Sequence, residues 1–191
     1  QCNEDIALMR MIPGMVVINP CDDVEARAAV KAAYEYVGPV YLRFGRLAVP
    51  VLNDESTYKF EIGKGVKLKD GKDISIIATG LCVSEAVKAV DMLAADGIDA
   101  ELINIHTIKP IDEDIIAETT QKTGRVFTVE EHSIIGGLGS AVAEVLAEKC
   151  PTKLTRIGVR DTFGESGPAK ELLHKYELDA EGIYKKIKAA L

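Results

Sequence analysis

Several patterns that would announce a chemistry are missing from this chain of 191 residues. Its four cysteines, Cys2, Cys21, Cys82 and Cys150, form no CxxC pair and keep no regular spacing. That excludes a disulfide framework or zinc knuckle and points to reduced thiols in a cytoplasmic protein. The three histidines, His106, His132 and His174, are too scattered to suggest a metal site. No apolar run approaches the ~20 residues that span a bilayer, and the first residues lack a signal-peptide pattern. The net charge of -7 argues against a nucleic-acid surface. A glycine turn at 136–140 is neither GxGxxG nor GxxxxGK(S/T). Gly164-Glu165-Ser166-Gly167 places its serine wrongly for a GxSxG nucleophile elbow, which excludes an ordinary serine hydrolase.

What is present is enough for a folded core. The chain is 47% hydrophobic and 28% charged, outside the range of disordered sequences. Its length suits one large domain, or one and a half small ones. Gln1 stands where an initiator methionine would, so a piece of something longer is expected.

Hydrophobic patterning divides the chain in three. Met15–Ile18 reads as a short strand, Asp22 to about Val37 as a helix with Val24, Ala28, Ala32 and Tyr36 on one face, and Val40–Phe44 as a second strand. A strand-helix-strand unit of this kind places two parallel strands in a larger sheet. From Asn53 to Lys72 a weak alternation with a turn at Asp70-Gly71 reads as a linker with short strand or hairpin structure. From Asp73 onward apolar strands alternate with amphipathic helices: strands at 74–79, 100–105, 126–129 and 154–159, helices at 84–96, 112–124, 138–149, 168–176 and 180–190. Continuous apolar strands between helices predict an α/β fold with a mainly parallel, doubly wound sheet covered on both faces. The expected divisions are 1–52, 53–72 and 73–191.

Candidate site residues follow from where strands end, because open α/β sheets bind ligands at the strands' carboxyl ends. Glu130, Glu131 and His132 leave a strand together and are able to shift one another's pKa; polar residues at a strand exit are the plainer account. Gly136, Gly137, Gly139 and Ser140 open a helix whose free N–H groups suit an anion, although tight turning and close packing also explain the glycines. Asp22 offers a carboxylate after the first strand, but Asp22-Asp23-Val24-Glu25 also has the form of a helix cap. Arg43 shares a strand face with Tyr41. Arg46 lies past the strand end, where an arginine can hold an anion in two hydrogen bonds of roughly 1.5–3 kcal/mol each.

Six blocks of residues then carry a resemblance over essentially the whole chain. Gln1-Cys2-Asn3-Glu4-Asp5-Ile6-Ala7-Leu8-Met9-Arg10, Asn19-Pro20-Cys21-Asp22 and Gly38-Pro39-Val40-Tyr41-Leu42-Arg43 resemble the end of the pyrimidine-binding domain of thiamine-diphosphate transketolases. Asn104 to Asp112, Val129-Glu130-Glu131-His132 with Gly136-Gly137-Leu138-Gly139-Ser140, and Gly164-Glu165-Ser166-Gly167 resemble that family's carboxy-terminal domain. The resemblance implies transfer of a two-carbon ketol unit between sugar phosphates, with thiamine diphosphate and Mg²⁺ as cofactors of the complete enzyme. It implies that the acid matching Asp22 recognises the donor's hydroxyls and that the arginine matching Arg46 binds substrate phosphate. It also implies a homodimer with the active site between two chains, and an N-terminal portion carried on the same chain or a separate subunit. The carboxy-terminal domain contributes dimer structure. The family's diphosphate-Mg²⁺ motif, its activating glutamate and a substrate-site histidine fall upstream of Gln1, so this piece alone is expected to be inactive and to bind no cofactor. Deoxyxylulose-phosphate synthases carry a similar Asp and Arg and stay open as alternatives. The β subunits of 2-oxo-acid dehydrogenases fit less well, and a non-catalytic oligomerisation or effector-binding module is the contrasting reading.

Overall fold

The structure is a computed structural model that describes residues 2–191; Gln1, which opens the first block of the resemblance, lies outside the described residues. Two sheets organise the chain. The smaller contains β1 (Val16–Ile18), β2 (Val40–Leu42) and β6 (Thr107–Lys109) in the order β2-β1-β6. Helix α1 (Asp5–Met11) precedes β1, and α2 (Asp23–Glu35) crosses from β1 to its parallel neighbour β2, with Val17 opposite Tyr41. The patterning of this unit holds, with one shift. Tyr36 falls past the helix end and is exposed, while the buried face of α2 centres on Val24, Glu25 and Ala29.

The larger sheet has the order β3-β5-β4-β7-β8, from β3 (Val66–Lys69), β4 (Ile74–Ala78), β5 (Ala100–Asn104), β7 (Val126–Ser133) and β8 (Leu154–Val159). Four of these strands are parallel and β3 is an antiparallel edge. Helices α3 (Cys82–Ala95) and α7 (Ala180–Ala190) cover one face, α4 (Glu113–Thr123) and α5 (Leu138–Lys149) the other, and α6 (Ala169–Lys175) lies beside the first pair. Strand β4 shows why both faces are needed. Ile74, Ile76 and Ala78 pack with α3 and α7, whereas Ile77 packs against residues of α4 and α5 and the Ser75 hydroxyl bonds the Thr119 carbonyl of α4 at 3.1 Å. Fully burying side chains such as Phe127 or Ile76 contributes about 1.5–3 kcal/mol each. This is the mainly parallel, doubly wound α/β sheet expected from the sequence.

Helix α4 begins and ends as its residues dictate. The Asp112 carboxylate accepts from the Ile115 amide, Ile111 packs beside Ile116, and Gly124 closes the helix at φ 67°. The linker holds the short strand expected of it, β3, which pairs with β5 and not across the Asp70-Gly71 turn with β4. Two elements were not read from the sequence. The block Asp5–Met11 is a helix. And β6, from within residues 73–191, pairs antiparallel with β1, placing Ile18 opposite Thr107. The turn residue is glycine for a reason of space: a Cβ at Gly71 would lie 2.3 Å from the Ala100 carbonyl carbon and the Glu101 nitrogen. Gly71→Ala is therefore expected to cost about 2–3 kcal/mol by forcing backbone apart, a fall in Tm of roughly 8 °C in thermal melts. An unchanged Tm would show that the turn moves freely. No helix among the described residues is long and apolar enough to cross a membrane, and all four cysteines are free.

Candidate functional site

In the larger sheet the chain runs from β4 outward to β5, then returns to β7 on the other side, so the topological switch point lies between β4 and β7. The smaller sheet fills this crevice. The Thr79 hydroxyl donates to the Asn19 carbonyl at 3.3 Å, and a Cβ on Gly80 would stand 2.5 Å from the Asn19 side-chain nitrogen. The place where such sheets ordinarily hold a ligand is thus occupied by the chain itself, at the residue that follows β1.

The glycine turn is likewise engaged. Glu130, at 0% exposure, aims its carboxylate at the amino end of α5, where Oε2 accepts from the Leu138 amide at 2.7 Å and Oε1 from the Gly139 amide at 2.8 Å. The Gly136 amide donates to Ser140 Oγ, and Ser140 in turn donates to the Ile134 carbonyl. The Gly136 and Gly139 amides and the Ser140 hydroxyl are therefore engaged within the chain, and the carboxylate at this helix terminus is that of Glu130. A Cβ on Gly137 would lie 2.0 Å from Glu130 Oε2, so the carboxylate needs glycine there. Burial raises the Glu130 pKa to about 7, against the two amides and Arg156 and Arg10, which favour the anion. Beside it, His132 donates from Nδ1 to the Ser133 carbonyl at 2.7 Å, and Nε2 accepts from the Ala7 amide at 3.4 Å. That pattern fixes one neutral tautomer, and burial holds the imidazole below its ordinary pKa.

Arg43 is a partly buried connector. Its Nε donates to Asp5 Oδ2 at 2.9 Å, Nη1 to Glu131 Oε2 at 3.4 Å and Nη2 to the Glu131 carbonyl at 3.0 Å, while the Tyr41 hydroxyl donates to the same Asp5 oxygen at 2.8 Å. The shared face of Tyr41 and Arg43 was legible in the alternation. Their common target, Asp5 at the start of α1, was not. Burial raises the Glu131 pKa, and Arg43 opposes the rise.

Asp22 is 3% exposed and caps α2, accepting from the Glu25 amide at 2.8 Å. Its second oxygen accepts from the amides of Leu52 and Asn53 and from the Asn53 side chain, within 3.0 Å. Burial opposes its ionisation, but these amides outweigh burial and hold the carboxyl below its ordinary value. The partner acid Glu25 reaches back to the Cys21 amide at 2.7 Å, one residue before the cap.

Arg46 is placed differently. It is exposed, follows the carboxyl end of β2, and makes no hydrogen bond or ion pair among the described residues. It lines a cleft of about 560 Å³ together with Asn3, Glu131, Ser166, Leu172 and Tyr176. That volume suits a small-molecule ligand. Among the described residues no group of three His, Cys, Asp or Glu could hold the Mg²⁺ that the resemblance pairs with thiamine diphosphate, the Leu138 and Gly139 amides are taken by Glu130, and Asn19 stands at the switch point.

Comparisons with known proteins agree with this layout. Residues 63–183 match the family described as transketolase, C-terminal domain, and residues 1–51 match transketolase, pyrimidine binding domain. The chain is 51% identical over 98% of its length to a putative transketolase C-terminal section of Methanocaldococcus jannaschii, covering 59% of that protein. It is 46% identical over 94% of its length to a 6-deoxy-6-sulfo-D-fructose transketolase subunit of Clostridium sp., covering 56% of it. A solved structure described as a split gene transketolase, inactive beta4 tetramer, superposes with a TM-score of 0.95 at 47% identity, over 100% of this chain and 62% of that one. The chain thus spans somewhat over half of these relatives, and with a matched C-terminal domain lying over its doubly wound sheet it belongs to the transketolase family.

Proposed function

We propose that this chain is the substrate-binding and oligomer-forming part of a transketolase that passes a two-carbon ketol unit between sugar phosphates. In this reading residues 1–52 end the pyrimidine-binding unit, 53–72 link, and 73–191 form the C-terminal unit. The observation that carries the reading is Arg46, an exposed arginine at the carboxyl end of a parallel strand, lining a cleft of sugar-phosphate size. Arg46 binds the substrate's phosphate through paired N–H donors. The sulfo group in the name of the Clostridium relative's substrate is an anionic tail of the same kind.

Thiamine diphosphate and Mg²⁺ belong to the complete enzyme and are held by residues outside these 191, supplied by the rest of the pyrimidine-binding unit and by an N-terminal portion on the same chain or a separate subunit. The assembled enzyme is at least a homodimer of such units in the cytoplasm, with sugar phosphates bound between chains. The chain alone does not turn over, as the description of one solved relative without activity also suggests for that protein. Ketol transfer measured with the chain alone and with the complete enzyme tests this, and turnover by the chain alone would overturn it.

Within the assembled enzyme, Arg46→Ala is expected to raise the KM for phosphorylated acceptors about tenfold to a hundredfold, the loss of one charged hydrogen-bonding group. An unchanged KM would remove the phosphate role. Asp22 is proposed to read the donor's hydroxyls once the 52–53 loop releases its second oxygen. On that basis Asp22→Asn reduces discrimination between donor epimers; a lower Tm with discrimination intact would leave it a helix cap only.

A further inference from the structure

The far wall of the Arg46 cleft comes from the C-terminal unit. Gly164, Glu165, Ser166, Gly167 and Pro168 line it, in the segment between β8 and α6. This segment is exposed throughout residues 160–168, Phe163 being 92% exposed, and has neither helix nor strand. It is nevertheless tethered at one point: Glu165 accepts from Lys175 Nζ and from the Tyr176 hydroxyl, both at 2.7 Å, so α6 holds the loop across from Arg46.

The charges around the cleft differ in their partners. Glu131 shares Arg43 with Asp5, and Glu165 is paired with Lys175. Arg46 is the one charged side chain lining the cleft that has no ion-pair partner among the described residues, so it is the point of the cleft where an anion is favoured. Ser166 supplies a hydroxyl with no partner among the described residues, beside two glycines that let a ligand approach the backbone. A serine opposite an arginine is a donor pair for tetrahedral oxyanions, phosphate and sulfonate alike.

We propose that the loop 160–168 is the specificity wall of this cleft: Ser166 donates to the anionic tail of the substrate opposite Arg46, and Lys175 offsets the Glu165 charge so that the tail is admitted. The proposal rests on the reading of Arg46 as the phosphate contact, and it gives the C-terminal unit a direct part in substrate selection.

The test is steady-state kinetics of the complete enzyme, using an aldopentose 5-phosphate and the free aldopentose as acceptors. Ser166→Ala is expected to raise the KM for the phosphorylated acceptor about threefold to tenfold, leaving kcat and the free sugar unaffected. Lys175→Met, which leaves Glu165 an unbalanced anion, raises that KM, and Glu165→Gln lowers it, each about twofold to fivefold and less at high salt. All three side chains are exposed, so the variants fold. Opposite signs for Lys175→Met and Glu165→Gln separate charge from mere loosening of the loop; a rise in both overturns the charge balance. If Arg46→Ala raises KM while Ser166→Ala does not, the loop proposal falls and the Arg46 reading stands. If Arg46→Ala has no effect, both fall together.

Discussion

Arg43→Met is expected to destabilise the folded chain by about 3–5 kcal/mol, because it strands the Asp5 carboxylate, which the fold has largely removed from water, and takes the charge partner from the half-buried Glu131. Exposed ion pairs are worth at most about 1 kcal/mol, but this one is enclosed: the side chains of Arg43 and Asp5 are each 12% exposed. Asp5 Oδ1 already lacks a hydrogen-bond partner, so without the guanidinium the carboxylate keeps only the Tyr41 hydroxyl. Glu131 would lose both its charge partner and the donor to its carbonyl. The contacts join α1, the end of β2 and the end of β7, so their loss loosens the seam between the two sheets. Thermal melts should show a Tm lower by roughly 10 °C. The double variant Asp5→Asn/Arg43→Met should recover part of the loss, a coupling of about 1–3 kcal/mol. Arg43→Lys keeps the charge without the fork and should fall between. A loss below about 1 kcal/mol in the single variant would mean that solvent screens the pair.

The parts of this architecture visible in the residues are those set by local rules. Helix α5 at Leu138–Lys149, strand β8 at Leu154–Val159 and helix α7 at Ala180–Ala190 begin and end where the apolar periodicity does. The cap of α4 follows from Asp112 and Gly124. What stayed hidden depends on partners distant in sequence. β6 is three residues long, too short to show an alternation, and its pairing with β1 is fixed only once the larger sheet brings it there. The Asp70-Gly71 dipeptide carries a hairpin signal, but the glycine serves a close backbone approach to β5. Helix α1 is a single short segment of seven residues, and what holds it is tertiary: Arg10 donates to the Gly136 carbonyl at 2.8 Å, and Lys109 Nζ reaches the carbonyls of Arg10 and Ile12.

The site residues divide along the same line. Arg46 could be placed past a strand end from alternation alone, because nothing folds back to meet it. Asp22 reads equally as cap and ligand in one dimension, and the structure adds the Leu52 and Asn53 amides that occupy its other oxygen. For Gly136 to Ser140, the sequence shows an anion site and leaves out the anion. Glu130 is adjacent in the motif, yet only the return of β7 toward α5 shows that its carboxylate fills the helix terminus.

Glu130 therefore supports the second large effect. Glu130→Ala removes the acceptor for two buried amides, each costing about 1–3 kcal/mol when unsatisfied, and leaves a void beside Gly137; a total of about 3–5 kcal/mol is expected. The pH dependence separates the carboxylate's charge from its packing. In the folded chain burial raises its pKa from 4.5 to about 7, so the folded state holds a proton that the unfolded state has released. Stability is then fully present below about pH 4.5 and falls as pH rises through about 7, by roughly 3 kcal/mol at about 1.4 kcal/mol for each pH unit. His132, next along β7, acts with the opposite sign. Its lowered pKa favours the neutral ring in the fold, so its contribution is lost as pH falls below its ordinary range. Arg156 and Arg10 face the same carboxylate and favour its anion. Comparing the wild type with Glu130→Gln cancels the histidine, since both proteins keep it. The difference in denaturant-derived stability should shift against the wild type by about 3 kcal/mol between pH 4.5 and pH 8. A flat difference would mean that the amides of Leu138 and Gly139 hold Glu130 ionised across the whole range, as a carboxylate accepting from a helix terminus does when water reaches it.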